Sequence, residues 1–360
     1  MKVSHYFEFE DRVTGGIRES VVHQRKMLDR VGVEYTTEPT LDADVLHCNL
    51  MGPRSVWYAK RARDRGVPVV AHTHVTAEDF GDSFRFTNAL AKPLKPYLSR
   101  AYGLADALVC PSEYNRGVIE AYTDAPTTVI SNGVDREKLD GFETLEAEYR
   151  ERYDLDPPTV FLVGHVIKRK GLETFVELAR ERPDVDFAWF GPLDLSLKGR
   201  ETTRLIEESP DNCTFTGYVD DVRGAFAAGD VFLFPTHEEN EGIALLEAMT
   251  AGKAVVVRDI ETFSWLNDGE DCLKVDPTAT ESTGTGSKPT ESTGAGPEST
   301  VDANSENEAD SGVEAFAAAI DRLTDPELRE RLGSNAAARS ESFSLDAIAD
   351  RYRSLYDRLA

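Results

Sequence analysis

Short apolar runs alternate with longer amphipathic stretches along most of the 360 residues. Apolar runs bounded by turn residues predict buried strands, and apolar positions that recur every three to four residues predict helices. Strands are predicted at 44–50, 68–74, 107–112 and 127–131, and then at 159–166, 186–191, 213–219, 231–236 and 254–259. Helices are predicted at 54–66, 171–183 and 242–252. This alternation predicts an α/β protein with parallel sheets.

The predicted strands form two sets, and the break between them lies at 153–159. Pro157 and Pro158 end any helix there. We therefore expect two doubly wound, Rossmann-like domains, an N-terminal one over 1–155 and a C-terminal one over 156–342, and the chain length suits two cores. A last helix, within 343–360, is expected to pack back on the N-terminal domain.

A polar tract interrupts the second set. Residues 277–312 contain TESTG twice and almost no large apolar side chain, so the tract buries too little surface to fold. It is interpreted as a disordered acidic insertion between a strand ending near Val275 and a helix over 313–324.

The composition is strongly acidic. Lys and Arg number 40 against 65 Asp and Glu, a formal charge of -25, which argues against nucleic acid as a partner. Such acidity is typical of a surface adapted to high salt, so most acids, including Glu238 and Glu241, are predicted to face solvent. The four cysteines form no close pair, and no signal peptide or membrane span is evident. We expect a cytoplasmic protein, and peripheral attachment to the inner face of the membrane stays open.

Candidate chemistry lies at strand-to-helix junctions. Gly15 and Gly16 open a helix after the first strand, where the backbone is able to approach an anion, although a plain tight turn explains them as well. In VGHVIKRKG, Gly164 follows a strand and Lys168, Arg169 and Lys170 precede a helix. Three cations in so acidic a chain indicate an anionic ligand such as a phosphate. The P-loop pattern is absent from the sequence.

The stretch HEENEGIALLEAMTAGK, residues 237–253, combines several such features. Its loop offers Glu239, the helix start offers the amides near Gly242, Ile243 and Ala244, and the helix carries Glu247. Carboxylates of this kind accept hydrogen bonds from sugar hydroxyls, and helix amides bind diphosphate.

Seven residues separate Glu239 from Glu247, and this spacing resembles the E-x7-E pattern of retaining GT-B glycosyltransferases of family four, in the glycogen phosphorylase/glycosyltransferase superfamily. TGGI, HTH, CPSEYNRGVI, ISNGVD, FTGYV and GDVFLFPT follow the family's order and spacing over nearly the whole chain outside the tract. HTHVTAEDFGDSF, VIKRKG and HEENEGIALLEAM look most like the bacterial enzymes that transfer glucose to diacylglycerol.

The resemblance implies roles by position. It places Lys170 on the donor diphosphate, Glu239 on the transferred sugar, Glu247 on the ribose and His74 near the reacting sugar carbon. It places Gly16, Gly164, Gly242, Ile243 and Ala244 beside the phosphates, and Tyr218 and Val219 beside the base. His165 departs from the family, because many relatives have Arg there; Arg169 or Lys168 is a candidate replacement.

The resemblance also implies a reaction. A hexose passes from a nucleoside diphosphate sugar, with UDP-glucose expected, to a membrane lipid such as a diradylglycerol, with retention and without a cofactor or metal. A lipid-linked oligosaccharide or other glycan acceptor stays open, as do a non-catalytic nucleotide-sugar-binding module and a nucleotide-sugar 2-epimerase. The Asp42-x-Asp44 pair precedes a strand, so a surface turn is favoured over a manganese site.

Residues 83–105 contain Arg85, Lys92, Lys95 and Arg100 and no acid. The cations alternate with Phe84, Phe86, Leu90, Leu94, Tyr97 and Leu98, a pattern that suits contact with an anionic membrane. A helix with one buried side and a basic solvent face fits the same pattern.

Overall fold

Two parallel six-stranded sheets form the framework of the computed structural model, which describes residues 1–80, 87–193, 199–276 and 305–360. The first sheet has the order β2-β1-β3-β4-β5-β6. Its strands are β1 (Lys2–Tyr6), β2 (Glu34–Thr36), β3 (Val45–Cys48), β4 (Val69–His72), β5 (Ala107–Cys110) and β6 (Thr127–Val129). The sheet and the elements packed on it are called the N-terminal half below.

The helices of this half follow the strands in turn. They are α1 (Gly16–Arg30), α2 (Pro53–Asp64), α3 (Ala77–Phe80), α4 (Thr87–Tyr102) and α5 (Glu113–Glu120). The next helix of the chain, α6 (Glu146–Tyr153), packs through Tyr149 on the second sheet. Local chemistry sets several starts: Pro53 occupies the first position of α2, and Ser112 Oγ caps α5 by accepting from the Asn115 N–H.

The second sheet has the order β12-β11-β10-β7-β8-β9 and defines the C-terminal half. Its strands are β7 (Thr159–Val163), β8 (Asp186–Phe190), β9 (Cys213–Gly217), β10 (Val231–Phe234), β11 (Ala254–Arg258) and β12 (Leu273–Val275). The later helices are α7 (Leu172–Glu181), α8 (Arg200–Glu207), α9 (Arg223–Ala228), α10 (Ile243–Thr250), α11 (Ser305–Arg322), α12 (Pro326–Ser340) and α13 (Leu345–Leu359).

The predicted α/β class and strand pattern are confirmed. Central strands such as β4 and β10 are buried along their whole length, as expected when helices cover both faces of a parallel sheet. The predicted start of the helix at 313 is wrong, because α11 begins at Ser305 and takes in the last residues of the polar tract. The remainder, 277–304, lies outside the described residues, and the limits of the two predicted domains stay predictions.

The last helix, α13, returns to the N-terminal half and packs against α1. Tyr352 and Tyr356 are fully buried in a cluster with Val3 and Val45 of the sheet. The Tyr356 hydroxyl also lies 2.6 Å from His47 Nδ1. The end of the chain therefore completes the core of the N-terminal half.

Some apolar side chains of the basic segment 83–105 pack on the protein and do not face outward. Leu98 is 4% exposed and packs in the core, and the Tyr97 hydroxyl donates to the Met51 carbonyl. Lys95 pairs with Glu78 at 3.4 Å. Leu98 is therefore not free to enter a membrane, whereas Tyr97 is 38% exposed, and residues 83–86 lie outside the described residues. No helix in the described part of the chain is long and apolar enough to cross a membrane.

Each sheet has one point where the strand order reverses, so that the chain continues on opposite sides of two neighbouring strands. In the N-terminal half this switch lies between β1 and β3, and in the C-terminal half between β7 and β10. Crevices at the carboxyl ends of such strand pairs are the usual ligand sites of open α/β sheets. The fold thus marks two places where ligands are expected.

Candidate active site

At the C-terminal switch, the segment after β7 brings Lys170 against the loop after β10. Lys168–Lys170 form a single 3-10 turn that ends at Gly171, with φ of 78°. A Cβ at Gly171 would lie 2.4 Å from the Pro235 carbonyl oxygen, so only glycine permits this close approach. The turn therefore fixes Lys170 beside the residues that follow Phe234.

Lys170 and Glu239 form the central charge pair of this crevice. Their Nζ and Oε2 atoms are 2.7 Å apart, and the two side chains are only 14% and 13% exposed. Lys170 Nζ also lies 4.9 Å from the centre of the Phe234 ring. Burial by itself raises the pKa of Glu239, but Lys170 and Arg169 outweigh it and hold the pKa below its usual range. The Glu239 carboxylate is therefore ionised and lies beside Lys170.

The three consecutive cations have different surroundings. Lys168 contacts Glu201 at 2.7 Å and Glu173 at 2.9 Å, away from the crevice. Arg169 donates to the Glu238 carbonyl and lies 4.0 Å from Glu239 Oε2. Of the two candidates to replace the arginine missing at position 165, Arg169 alone lies beside the loop after β10.

Helix α10 begins next to this pair. Gly242 has φ of 92° and caps the helix, so the first-turn amides of Ile243 and Ala244 lack intrahelical partners. One turn further on, Glu247 Oε1 lies 2.9 Å from Lys138 Nζ, which contacts Glu19 of α1 at 2.7 Å. These ion pairs join α10 to the N-terminal half.

His74 lies at the carboxyl end of β4 on the opposite side. It stacks on His72 with 3.9 Å between ring centroids, and burial lowers the pKa of His74 to about 3. The Asn240 Nδ2 group donates to the His74 carbonyl at 3.2 Å, and Asn115 donates to Asn240 Oδ1 at 2.8 Å. A neutral His74 therefore lies against the loop that carries Glu239.

The remaining predicted residues rim the crevice. Gly16 starts α1, and a Cβ on the preceding Gly15 would lie 2.7 Å from His165 Nε2, so the glycine loop touches the segment after β7. Gly164 directly follows β7, with φ of 146°. Beyond β9, Tyr218 is 74% exposed, while Val219 packs partly on the core.

Two predictions about acids in this stretch are wrong. Glu241 is 3% exposed, because its carboxylate points into the N-terminal half and accepts from the Asn132 N–H at 2.9 Å. Glu238 is half-buried and accepts a hydrogen bond from the Tyr114 hydroxyl. Neither contact was predictable, because the partners are more than a hundred positions away in sequence. In so acidic a chain, both side chains looked like ordinary surface acids.

Other functional candidates were missed altogether. Lys138 with Glu247 and Asn115 with Asn240 join the halves around the crevice, and Asn132 with Glu241 adds a third contact. CPSEYN and ISNGVD contain Asn115 and Asn132, but nothing in the sequence indicated which side chains would meet.

A second cavity lies at the N-terminal switch, with a volume of about 430 Å³. This cavity is called the N-terminal switch pocket below. Its walls combine aromatic rings with charges of both signs, and they are formed by Tyr6, Phe7, Phe9, Glu10, Asp11, Arg12, Thr37, Glu38 and Arg54. Phe9 is 47% exposed, and the Arg54 guanidinium lies 5.9 Å from the Tyr6 ring centre. The loop from β1 to α1 therefore borders this pocket at Phe9 and the crevice of the C-terminal switch at Gly15.

No group of three or more potential metal ligands occurs within the described residues. Asp44 instead accepts a hydrogen bond from the Lys2 N–H at 2.7 Å, which suits a turn at the edge of the sheet. The absence of a cofactor or metal requirement stays a prediction. All four cysteines are buried free thiols.

The two facing sheets and their switch points define a class of proteins. Anabaena HepE in complex with UDP-glucose superimposes with a TM-score of 0.72 over 99% of this chain and 100% of that chain, at 15% identity. Sucrose-phosphate synthase of Thermosynechococcus elongatus gives 0.72 over 100% and 99%, at 19% identity. The chain has the GT-B fold.

Sequence comparison then gives the family. Residues 17–138 match the model described as Glycosyltransferase Family 4, and 157–284 match Glycosyl transferases group 1. The processive diacylglycerol alpha-glucosyltransferase of Acholeplasma laidlawii is 35% identical over 76% of this chain and 84% of that protein. Alpha-galactosylglucosyldiacylglycerol synthase of Streptococcus pneumoniae is 27% identical over 71% of each. The chain belongs to glycosyltransferase family 4 and is a glycosyltransferase.

Proposed function

We propose that this enzyme moves a hexose from a nucleoside diphosphate sugar, UDP-glucose, to the hydroxyl of a membrane lipid such as a diradylglycerol, with retention at the anomeric carbon. The observation that carries the proposal is the buried Lys170–Glu239 pair at the start of α10, against which Asn240 holds His74. A cation, free helix amides and a carboxylate meet there at one switch point.

The donor's parts correspond to the parts of the crevice. Lys170 and the amides of Gly242, Ile243 and Ala244 bind the diphosphate, with Gly16 and Gly164 permitting close backbone approach. Glu239 accepts from hydroxyls of the transferred sugar, and Glu247 from those of the ribose. Tyr218 and Val219 contact the base.

The reaction needs stabilisation of negative charge more than an acid or base. As the bond between the anomeric carbon and the diphosphate oxygen breaks, Lys170 and the α10 amides stabilise the charge that develops on the leaving group. The acceptor oxygen bonds to the same face of the carbon, and its proton passes to a diphosphate oxygen. His74, kept neutral by burial, is able to hydrogen-bond the sugar without adding positive charge beside an oxocarbenium-like centre.

The N-terminal switch pocket is proposed to hold the polar head of the acceptor. Aromatic faces combined with Arg and carboxylate groups suit a hydroxylated molecule, because hydroxyls both donate to carboxylates and accept from guanidinium groups. The shared β1–α1 loop brings such a head close to the donor. The names of the two diacylglycerol-related relatives support a lipid as the rest of the acceptor.

Membrane attachment through 83–105 is proposed as well, limited to side chains that the core leaves available. Arg100 is exposed on α4. Flotation with anionic liposomes tests this attachment in a variant with Lys92, Lys95 and Arg100 changed to Glu. Weaker flotation than wild type is expected, and equal flotation would contradict the attachment.

The central test is incubation with a panel of nucleotide sugars and total membrane lipids, followed by mass spectrometry and measurement of anomeric configuration. A lipid that gains one hexose with the donor's configuration is expected. Sugar found only on a lipid-linked oligosaccharide or soluble glycan would replace the lipid acceptor with a glycan. Donor binding without any transfer would favour a non-catalytic module.

A further inference from the structure

Glu241 lies in the loop after β10, residues 235–242, called the donor loop below, and its carboxylate contacts Asn132 of the N-terminal half. Oε2 accepts from the buried Asn132 N–H at 2.9 Å, and Oε1 has no hydrogen-bond partner among the described residues. Burial raises the pKa of Glu241 to about 7, partly offset by hydrogen bonds from Ser131 and Asn132. Since Glu239 and Gly242 are its near neighbours in sequence, whatever fixes Glu241 also fixes them.

From Asn132 a line of buried side chains continues through the N-terminal half. Asn132 Oδ1 accepts from the Ser20 hydroxyl, and Ser20 Oγ accepts from Gln24 Nε2 at 3.2 Å. Ser20 and Gln24 lie on α1, whose first residue is Gly16. The donor loop is therefore joined to the helix that begins with the glycine loop.

The line then reaches the candidate catalytic histidine. His5 Nε2 lies 3.0 Å from Gln24 Oε1, and Asn49 Nδ2 lies 3.2 Å from His5 Nε2 and 3.4 Å from His5 Nδ1. Asn49 Oδ1 in turn lies 3.4 Å from His74 Nε2. With His5 protonated on Nε2, that nitrogen donates to Gln24 and Nδ1 accepts from Asn49, so hydrogen-bonded side chains connect Glu241 to His74.

We propose that Glu241 is a positioning residue, which holds Glu239 and the start of α10 in the correct place relative to Gly16 and His74. The inference rests on the proposed function of the donor crevice. Glu241 itself touches no substrate in this proposal; it acts by keeping the two sides of the crevice in one arrangement through Asn132.

A small displacement of this loop is expected to slow the reaction more than it weakens donor binding. The groups that contact the diphosphate all lie in the C-terminal half or in the glycine loop, whereas the distance from the sugar to His74 and the acceptor depends on how the halves meet. Rates are steeply sensitive to such distances, because a misplacement of about 1 Å is able to reduce a rate by about 100-fold.

The test compares Glu241→Ala and Glu241→Gln in the full chain with UDP-glucose and a lipid acceptor. Glutamine keeps an oxygen for the Asn132 N–H, and alanine does not. In Glu241→Ala, kcat is expected to fall by about 10-fold or more, with donor KM changed by less than about 3-fold. Glu241→Gln is expected to keep kcat within about 3-fold of wild type. Equal losses in both variants, a change in KM alone, or no change would each overturn the proposal.

The control is Tyr149→Phe, which removes another buried hydrogen bond of the C-terminal half, from the Tyr149 hydroxyl to the Asp221 carbonyl at 2.7 Å. It is expected to lower the melting temperature and leave kcat unchanged. If Tyr149→Phe reduced kcat as much as Glu241→Ala does, general destabilisation would explain both, and positioning would be rejected.

Amide hydrogen exchange separates this inference from the proposed function, because it needs no activity. Peptides covering 128–135 and 236–244 are expected to exchange faster in Glu241→Ala than in wild type or Glu241→Gln. Unchanged exchange in both peptides would overturn the positioning role even in an active enzyme. Faster exchange in a protein that transfers no sugar would support the contact and reject the proposed function alone.

Discussion

The two switch points of this molecule have the same topology and opposite chemistry. The C-terminal one combines the Lys170–Glu239 contact with the free amides at the start of α10. The N-terminal one combines the aromatic and mixed-charge switch pocket with a neighbouring group of histidines that burial keeps neutral. One site is suited to a fixed anionic group, and the other to a molecule recognised by shape and hydroxyls.

This difference explains why the sequence indicated a candidate ligand site in the C-terminal half but not the pocket in the N-terminal half. A diphosphate has a fixed size and charge, so it is bound by a few charged residues and glycines at fixed spacing after two strands. A hydroxylated head with a lipid tail offers no such constant feature. The pocket proposed for it is built from ordinary aromatic and charged residues such as Tyr6 and Arg54, which are common on protein surfaces.

The largest effect is expected from Lys170→Ala, because it removes the cation proposed to stabilise the leaving diphosphate. By comparison with the loss of one donor from an oxyanion site, kcat should fall by about 100- to 1,000-fold. Lys168→Ala is the matched control, since its ammonium group contacts Glu201 and Glu173 instead. Steady-state kinetics decide: similar activities of the two variants would remove Lys170 from the centre of the donor site.

A second variant, Glu247→Gln, tests the proposed contact between Glu247 and the ribose of the donor. Loss of the carboxylate that accepts from ribose hydroxyls should raise donor KM by about 10- to 100-fold with a smaller change in kcat. Glu247 also pairs with Lys138, so Glu19→Gln, which weakens the same lysine's other contact, is the control. Equal increases in KM for both variants would indicate that Glu247 serves the ion network and not the ribose.

The sequence predicted most strands, and it placed Lys170 and Glu239 at neighbouring strand ends where the structure brings them together, because both features depend on local patterns. Buried strands appear as short apolar runs, and Lys170, Glu239 and Glu247 occur within two strand-turn-helix units. The contacts between the halves were not predictable in this way. Glu241 and Asn132, or Glu247 and Lys138, are each 109 positions apart, and an acidic chain supplies dozens of carboxylates with the same local appearance.

The N-terminal pocket is tested by Arg54→Ala. The guanidinium group forms part of its wall beside Tyr6, so its loss should raise the acceptor KM by about 10-fold and leave the donor KM unchanged. Arg61→Ala is the control on the same helix, because Arg61 lies over Trp57, 5.4 Å from the ring centre, and does not line the pocket. An increase in donor KM, or equal effects of the two variants, would place the acceptor elsewhere.

The smallest effect concerns the acid that joins the two sites. Burial raises the pKa of Glu241 from 4.5 to about 7, against hydrogen bonds from Ser131 and Asn132 and the nearby His23. Folding therefore favours its protonated form, and the resulting stability is full below pH 4.5 and is lost as pH rises through 7.

Relative to Glu241→Gln, which stays neutral, the free energy of unfolding of wild type should fall by about 1 kcal/mol between pH 6 and pH 8. Urea denaturation at the two pH values measures this difference, with Glu207→Gln on exposed α8 as the control for removal of one charge. A pH-independent difference between wild type and Glu241→Gln would mean that the carboxyl group keeps one protonation state across this range. Glu241 would then join the halves in the same way at every pH from 6 to 8. It would affect the two sites only by holding them in position.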